Sequence, residues 1–103
     1  MKFDAKAPAL AVSLALLLSA PAFAGDAAAG KSKSATCVAC HGAEGVSVNP
    51  MWPNLAGQKE LYLVKQLTDL REGRRTDPVM GPMAKSLSDE DIADLAAYYS
   101  SLK

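Results

Sequence analysis

Two cysteines and one histidine occur in this 103-residue chain, and they stand together as Cys37-Val38-Ala39-Cys40-His41. Thiols and an imidazole this close can do four kinds of chemistry. A redox-active dithiol also uses C-x-x-C, but beside a strand–helix–strand pattern, and no stretch of this sequence alternates as a strand. A structural zinc site normally takes four Cys or His ligands, and only three are present here. A plain disulfide leaves His41 without a role. The fourth reading uses all three residues, because C-x-x-C-H is the attachment signature for c-type haem. On a helical turn the two thiols can reach the two vinyl groups on one porphyrin edge, and the adjacent imidazole lies beneath the iron as proximal ligand. One covalently bound haem c, held by Cys37, Cys40 and His41, is therefore the expected cofactor.

A sixth iron ligand can be narrowed by counting. With no second histidine, bis-histidine ligation within one chain is excluded. Beyond the N-terminal stretch the methionines are Met51, Met80 and Met83, with a lysine, a tyrosine or the amino terminus as remoter donors. Met51 follows His41 closely, on the loop leaving the proximal side. Met80 and Met83 lie in a Pro/Gly-rich segment that can cross the opposite face. The alternative for both is an ordinary gap-filling role in the core.

The elements that must position these groups are helical. Asp26–Thr36 is Ala-rich and helix-compatible, with Gly30 as a close-packing point. Residues 42–57 are rich in Gly and Pro and predict an irregular loop. Gln58–Glu72 predicts a helix with Leu63, Leu67 and Leu70 on one face, widened by Val64 and ended by Gly73. Arg74–Leu87, with Pro78, Gly81 and Pro82, predicts a second irregular stretch. Ser88–Leu102 is the best-marked helix: Ser88 stands as N-cap with Asp91 three residues on, and Ile92, Leu95, Ala96, Tyr99 and Leu102 make one apolar stripe. The fold class is all-α. Loops this long in so small a domain usually have a functional reason, and here they can wrap a large apolar ligand that replaces part of the core.

Residues 1–24 read as a cleaved secretory signal, leaving 25–103 as a single domain. Lys2 and Lys6 supply its positive start, weakened by Asp4; Ala9–Ala20 is the apolar run and Ala22-Phe23-Ala24 the cleavage pattern. That run is about a dozen residues against the ~20 of a spanning helix, so stable membrane insertion after cleavage is not expected. The implied location is the periplasm. The full chain has 11 basic and 11 acidic residues and no net charge, which argues against a nucleic-acid partner. The remaining 79 residues sit near the size where a core alone is marginal, so a bound cofactor is a natural staple. Lys31, Lys33, Lys59, Lys65, Arg71, Arg74, Arg75 and Lys85 read mostly as solvated surface. Asp89, Glu90, Asp91 and Asp94 fit the negative charge favoured at a helix start.

These motifs together resemble the class I c-type cytochromes, in particular the small bacterial monohaem c-553 type and one half of the dihaem c-4 type. The resemblance covers essentially all of Gly25–Lys103. It rests on Cys37–Gly42, Pro53-Asn54-Leu55-Ala56-Gly57-Gln58, Met80-Gly81-Pro82-Met83, Leu87-Ser88-Asp89 and Ala96-Ala97-Tyr98-Tyr99. It implies three main helices and long loops around one haem. It also implies thioether bonds from Cys37 and Cys40, axial ligation by His41 and Met80, and a Pro53 carbonyl accepting from His41 Nδ1–H. Leu55 would pack on the haem, Met83 near the iron ligand, and Gly30 where the N- and C-terminal helices cross near Tyr98 and Tyr99. Trp52 stands where many relatives carry Gly or Phe. One haem motif rather than two argues against a complete dihaem protein.

The function implied is electron transfer by Fe(III)/Fe(II) cycling, not enzymatic turnover. The implied partners are a quinol–cytochrome c reductase-type donor and a terminal oxidase or peroxidase-type acceptor. The rival reading, a haem-based sensor or peroxidase with a displaceable distal ligand, lacks a distal histidine for acid–base work.

Overall fold

The computed structural model describes residues 24–103, so all of the predicted export signal except Ala24 lies outside the described residues. The first helix, Ala27–Lys33 (α1), is capped by Asp26, whose carboxylate accepts the N–H groups of Ala28 and Ala29 at 2.9 and 3.2 Å. A 3₁₀ turn, Ser34–Thr36, leads into a single helical turn, Val38–His41 (α2). The long helix Glu60–Glu72 (α3) stops at Gly73, whose φ of +84° only glycine adopts readily. Then come Met80–Lys85 (α4) and Asp89–Ser101 (α5), the latter opened by the capping box of Ser88 and Asp91. No strand occurs among the described residues.

The helix α4 corrects the expectation of an irregular stretch from 74 to 87. Pro82 is only its third residue, where an amide has no intrahelical acceptor and a missing N–H costs nothing. Asp77 closes the start of that helix by accepting the N–H groups of Val79 and Met80 at 2.9 and 2.8 Å. A proline-rich composition thus conceals one and a half turns of helix.

The helix α5 is the hub: α1 and α3 both pack on it, and α3 also packs on α4. The predicted stripe is buried at Ile92, Leu95, Ala96 and Tyr99, and it meets Leu63 of α3 in one apolar cluster. Gly30 lies at the α1–α5 crossing, where a Cβ would stand 1.9 Å from the carbonyl oxygen of Asp94. Only a residue without a side chain lets the two backbones approach that closely.

Asp94 does more than place negative charge at a helix start. It is 5% exposed, accepts the Asp26 N–H at 2.8 Å and binds Lys33 Nζ at 2.7 Å, while Lys33 also meets Asp91 at 2.9 Å. The Lys33 hydrogen bond and then the Asp26 N–H hold the Asp94 carboxyl below its usual range. The Ser88 N–H and then Lys33 do the same for Asp91. A depressed carboxyl stabilises the fold above its unfolded value and loses that contribution as pH falls through its folded one. Melting temperature is therefore expected to fall as pH drops below about 4, and Asp94→Asn should make that decline shallower. Melts of both proteins from neutral to acidic pH check it; parallel declines would assign the acid sensitivity elsewhere.

Candidate functional site

The motif singled out in the sequence sits where the chain turns from α1 toward the long loop. Cys37 is the N-cap residue of α2, and His41 is its last residue, buried at 7% exposure. Cys37 and Cys40 are free, half-buried thiols. His41 Nδ1 lies 2.8 Å from the carbonyl oxygen of Pro53. A carbonyl can only accept, so Nδ1 carries the proton and Nε2 is left with its lone pair.

The loop that presents Pro53 is irregular but tied down. The Gly45 carbonyl accepts the N–H groups of both Leu55 and Ala56, at 2.7 and 3.0 Å. The Ser47 N–H donates to Asn54 Oδ1 at 2.7 Å, and the Gly57 N–H donates to the Tyr99 carbonyl of α5 at 2.9 Å. The His41 acceptor is thus placed by the C-terminal helix as well as by its own loop.

These residues border a cavity of about 690 Å³. Cys37, Cys40 and His41 line it, as do Leu63, Leu67 and Leu70 of α3, Leu87 and Leu95, and Met80 and Met83 of α4. Leu67 stays half-buried for this reason, although it shares the face of Leu63 and Leu70. The volume is that of a pocket for a large ligand, not of a packing defect. Met51, Trp52, Tyr62, Val79 and Met83 are exposed large apolar side chains, and all five border this one cavity. The Tyr99 hydroxyl, at the same wall as Cys37, is buried without a hydrogen-bond partner. Burial first, and then the neighbouring Cys37, hold its phenol well above the usual acidity range. A leucine-walled space with two thiols, a tautomer-fixed imidazole and thioether sulfurs fits a covalently attached porphyrin with a soft iron ligand. Among the described residues there is no cluster of three or more His, Cys, Asp or Glu that could hold a metal ion.

The structure brings Cys37, Cys40, His41, Pro53, Leu55 and Met80 to one cavity, and it brings Met51 and Met83 there too. Sequence reasoning missed Tyr62, Gln66 and Arg75 on its lining. For the first two a signal existed: they flank the predicted Leu63–Leu67–Leu70 face and are themselves one helical turn apart. Of the eight basic residues, Lys31, Lys59, Lys65, Arg74, Arg75 and Lys85 are exposed, as a solvated surface requires, whereas Lys33 and Arg71 are half-buried and ion-paired.

A family model described as cytochrome c matches residues 27–103. Cytochrome c4 of Pseudomonas aeruginosa is 52% identical over 97 residues, covering 91% of this chain and 48% of that one. Cytochrome c-554(548) of Halomonas halodenitrificans is 56% identical over 81 residues, 76% of this chain and 98% of the relative. The crystal structure of reduced recombinant cytochrome c4 from Pseudomonas stutzeri superposes with a TM-score of 0.74 at 48% identity, over 78% of this chain and 47% of that one. The chain therefore spans about half the length of the cytochrome c4 relatives it matches. The helical architecture is the class I cytochrome c fold. The chain belongs to the cytochrome c family, and its cofactor is haem c.

Proposed function

We propose that the chain is a periplasmic electron carrier whose haem c is attached through Cys37 and Cys40 and whose iron is held between His41 and Met80. The observation that carries this reading is that the two thiols, the imidazole and the two methionines of α4 line one apolar cavity. Haem c supplies one iron that cycles between Fe(III) and Fe(II). The protein's part is to hold that iron still, dry and fully ligated.

Each residue has a share in that. Cys37 and Cys40 would hold the haem group through thioether bonds. Donation from His41 Nδ1–H to Pro53 fixes the imidazole's tautomer and orientation and raises its basicity at Nε2. A thioether from Met80 is a soft ligand that favours the ferrous state, and apolar walls such as Leu55 and Leu95 raise the potential further. If His41 and Met80 both held the iron, the group would supply one-electron exchange rather than a site for oxygen or a substrate, which supports electron transfer over catalysis. Export by residues 1–24 would deliver it to the periplasm. Redox proteins are its partners: a quinol–cytochrome c reductase-type donor, and an oxidase or peroxidase-type acceptor.

A visible spectrum of the exported protein, oxidised and reduced, with and without carbon monoxide, tests this reading. A low-spin spectrum with a methionine-to-iron band and no carbon monoxide response is expected. A response in the unsubstituted protein would favour a ligand sensor or peroxidase. Met80→Ala should keep the haem attached and open the iron to carbon monoxide, whereas Met83→Ala should not. Opening by Met83→Ala alone would move the ligand assignment to Met83.

A further inference from the structure

Tyr99 Oη is the one buried side-chain oxygen or nitrogen among the described residues that has no hydrogen-bond partner. The residue is 3% exposed, and its ring is held too firmly to swing out and find one. Tyr98 packs on it with ring centroids 5.0 Å apart, and Tyr99 Cδ1 lies so near Gly45 that a Cβ there would stand 3.1 Å away. The backbone is fixed as well, since the Tyr99 carbonyl accepts the N–H groups of Gly57 and Leu102 at 2.9 and 3.2 Å. A buried hydroxyl left in this state is costly, and phenylalanine would fill the same space without it. The hydroxyl therefore points to a partner that the folded chain alone does not supply.

Apart from Tyr98, the polar side chains beside the phenol are Cys37 and Ser34. Ser34 Oγ commits its proton to the Lys31 carbonyl at 2.7 Å. Cys37 packs against the same apolar cluster as Tyr99, and both border the haem cavity. As a thiol, Cys37 is a weak donor as well as a weak acceptor, so it matches the phenol poorly. As a thioether it is a different group: its S–H hydrogen passes to a vinyl carbon when the carbon–sulfur bond forms, and the sulfur keeps lone pairs alone. Tyr99 thus brings a donor that lacks an acceptor, and attachment makes Cys37 an acceptor that has nothing to donate. Thr36 Oγ1, the other hydroxyl at this sulfur, is 4.0 Å away and exposed, so solvent serves it.

We propose that Tyr99 donates a hydrogen bond to the thioether sulfur of Cys37 and thereby holds the reduction potential up. A donor at that sulfur draws electron density away from the ring, which favours Fe(II). Tyr99 is a positioning residue: it acts on the iron only through the Cys37 sulfur. This assignment rests on the thioether reading of Cys37 but not on which methionine binds the iron.

The test compares the unsubstituted holoprotein with Tyr99→Phe, which keeps the ring and removes only the hydroxyl. Visible spectra should agree, while the Fe(III)/Fe(II) balance of Tyr99→Phe shifts roughly threefold toward ferric, about 28 mV at 59 mV per tenfold. A second readout is the thioether carbon–sulfur stretch in the resonance Raman spectrum, after warming in H₂O or D₂O so that the buried hydroxyl exchanges. The stretch should differ between the two solvents in the unsubstituted protein and not in Tyr99→Phe, a pattern that altered packing would not produce. Equal potentials, or a solvent difference that survives in Tyr99→Phe, would overturn the Tyr99 assignment alone. A changed potential without any solvent difference in the unsubstituted protein would give the bond to Ser34 and overturn it too. Haem that acidified organic solvent extracts from the unsubstituted protein would sink the thioether reading itself, and this assignment with it.

Discussion

Gly30→Ala is expected to lower the melting temperature of the holoprotein by about 15 °C. The added Cβ would stand 1.9 Å from the Asp94 carbonyl oxygen, 2.6 Å from its carbon and 2.7 Å from Tyr98 Cβ. Two of those atoms are backbone of α5, so no rotamer change relieves the clash. Separating α1 from α5 is the remaining route, and it strains the bonds that Asp26 and Lys33 make to Asp94. Overpacking of this kind costs up to about 3 kcal/mol. In a folded region near 80 residues each kcal/mol moves the melting point by roughly 4–8 °C. Better helix propensity in alanine offsets at most about 1 kcal/mol of this. A drop of less than a few degrees would show that the helix crossing tolerates separation and that the close approach is not what holds it.

The second large effect is at the other end of the motif. His41→Ala should abolish the normal haem spectrum altogether. No other histidine exists in the chain, so no imidazole can move in, and the Pro53 carbonyl that fixes the ring is left facing water. The cofactor fills a cavity of about 690 Å³ in a domain whose core alone is marginal, so any apoprotein recovered should also show a weakened helical signal by circular dichroism. A correctly coloured His41→Ala protein would remove His41 from the iron.

Some of this architecture is written locally and some is not. The capping box at Ser88, the stripe through Ile92, Leu95 and Tyr99, and the stop at Gly73 depend on residues within a few positions of one another, and they read directly. The haem motif is also local, because two thioethers and an imidazole must sit on one helical turn. Asp94 could not be read in this way. Its partner Lys33 is 61 residues distant, and by sequence it belongs to a run of acids at a helix start. Only the α1–α5 crossing reveals that it is buried and paired. The short helix α4 was hidden for a different reason, since Pro82 breaks most helices yet is harmless in a first turn. Arg75 was hidden by its surroundings in sequence: among several arginines and lysines nothing local marks the one that lines the cavity.

The loop from Gly42 to Gly57 closes on itself at Gly45 and is fastened to α5 at Tyr99. Its hydrogen bonds form a chain from the proximal imidazole to the C-terminal helix: His41 to Pro53, Leu55 and Ala56 to Gly45, and Gly57 to Tyr99. A segment of this composition ordinarily frays by itself, exchanging its amide hydrogens with solvent long before the rest of the molecule opens. Here the loop cannot peel away without releasing the helix to which it is latched. The proximal side and the C-terminal helix therefore make up one cooperative unit, in which the least regular stretch of backbone shares the protection of the most regular one.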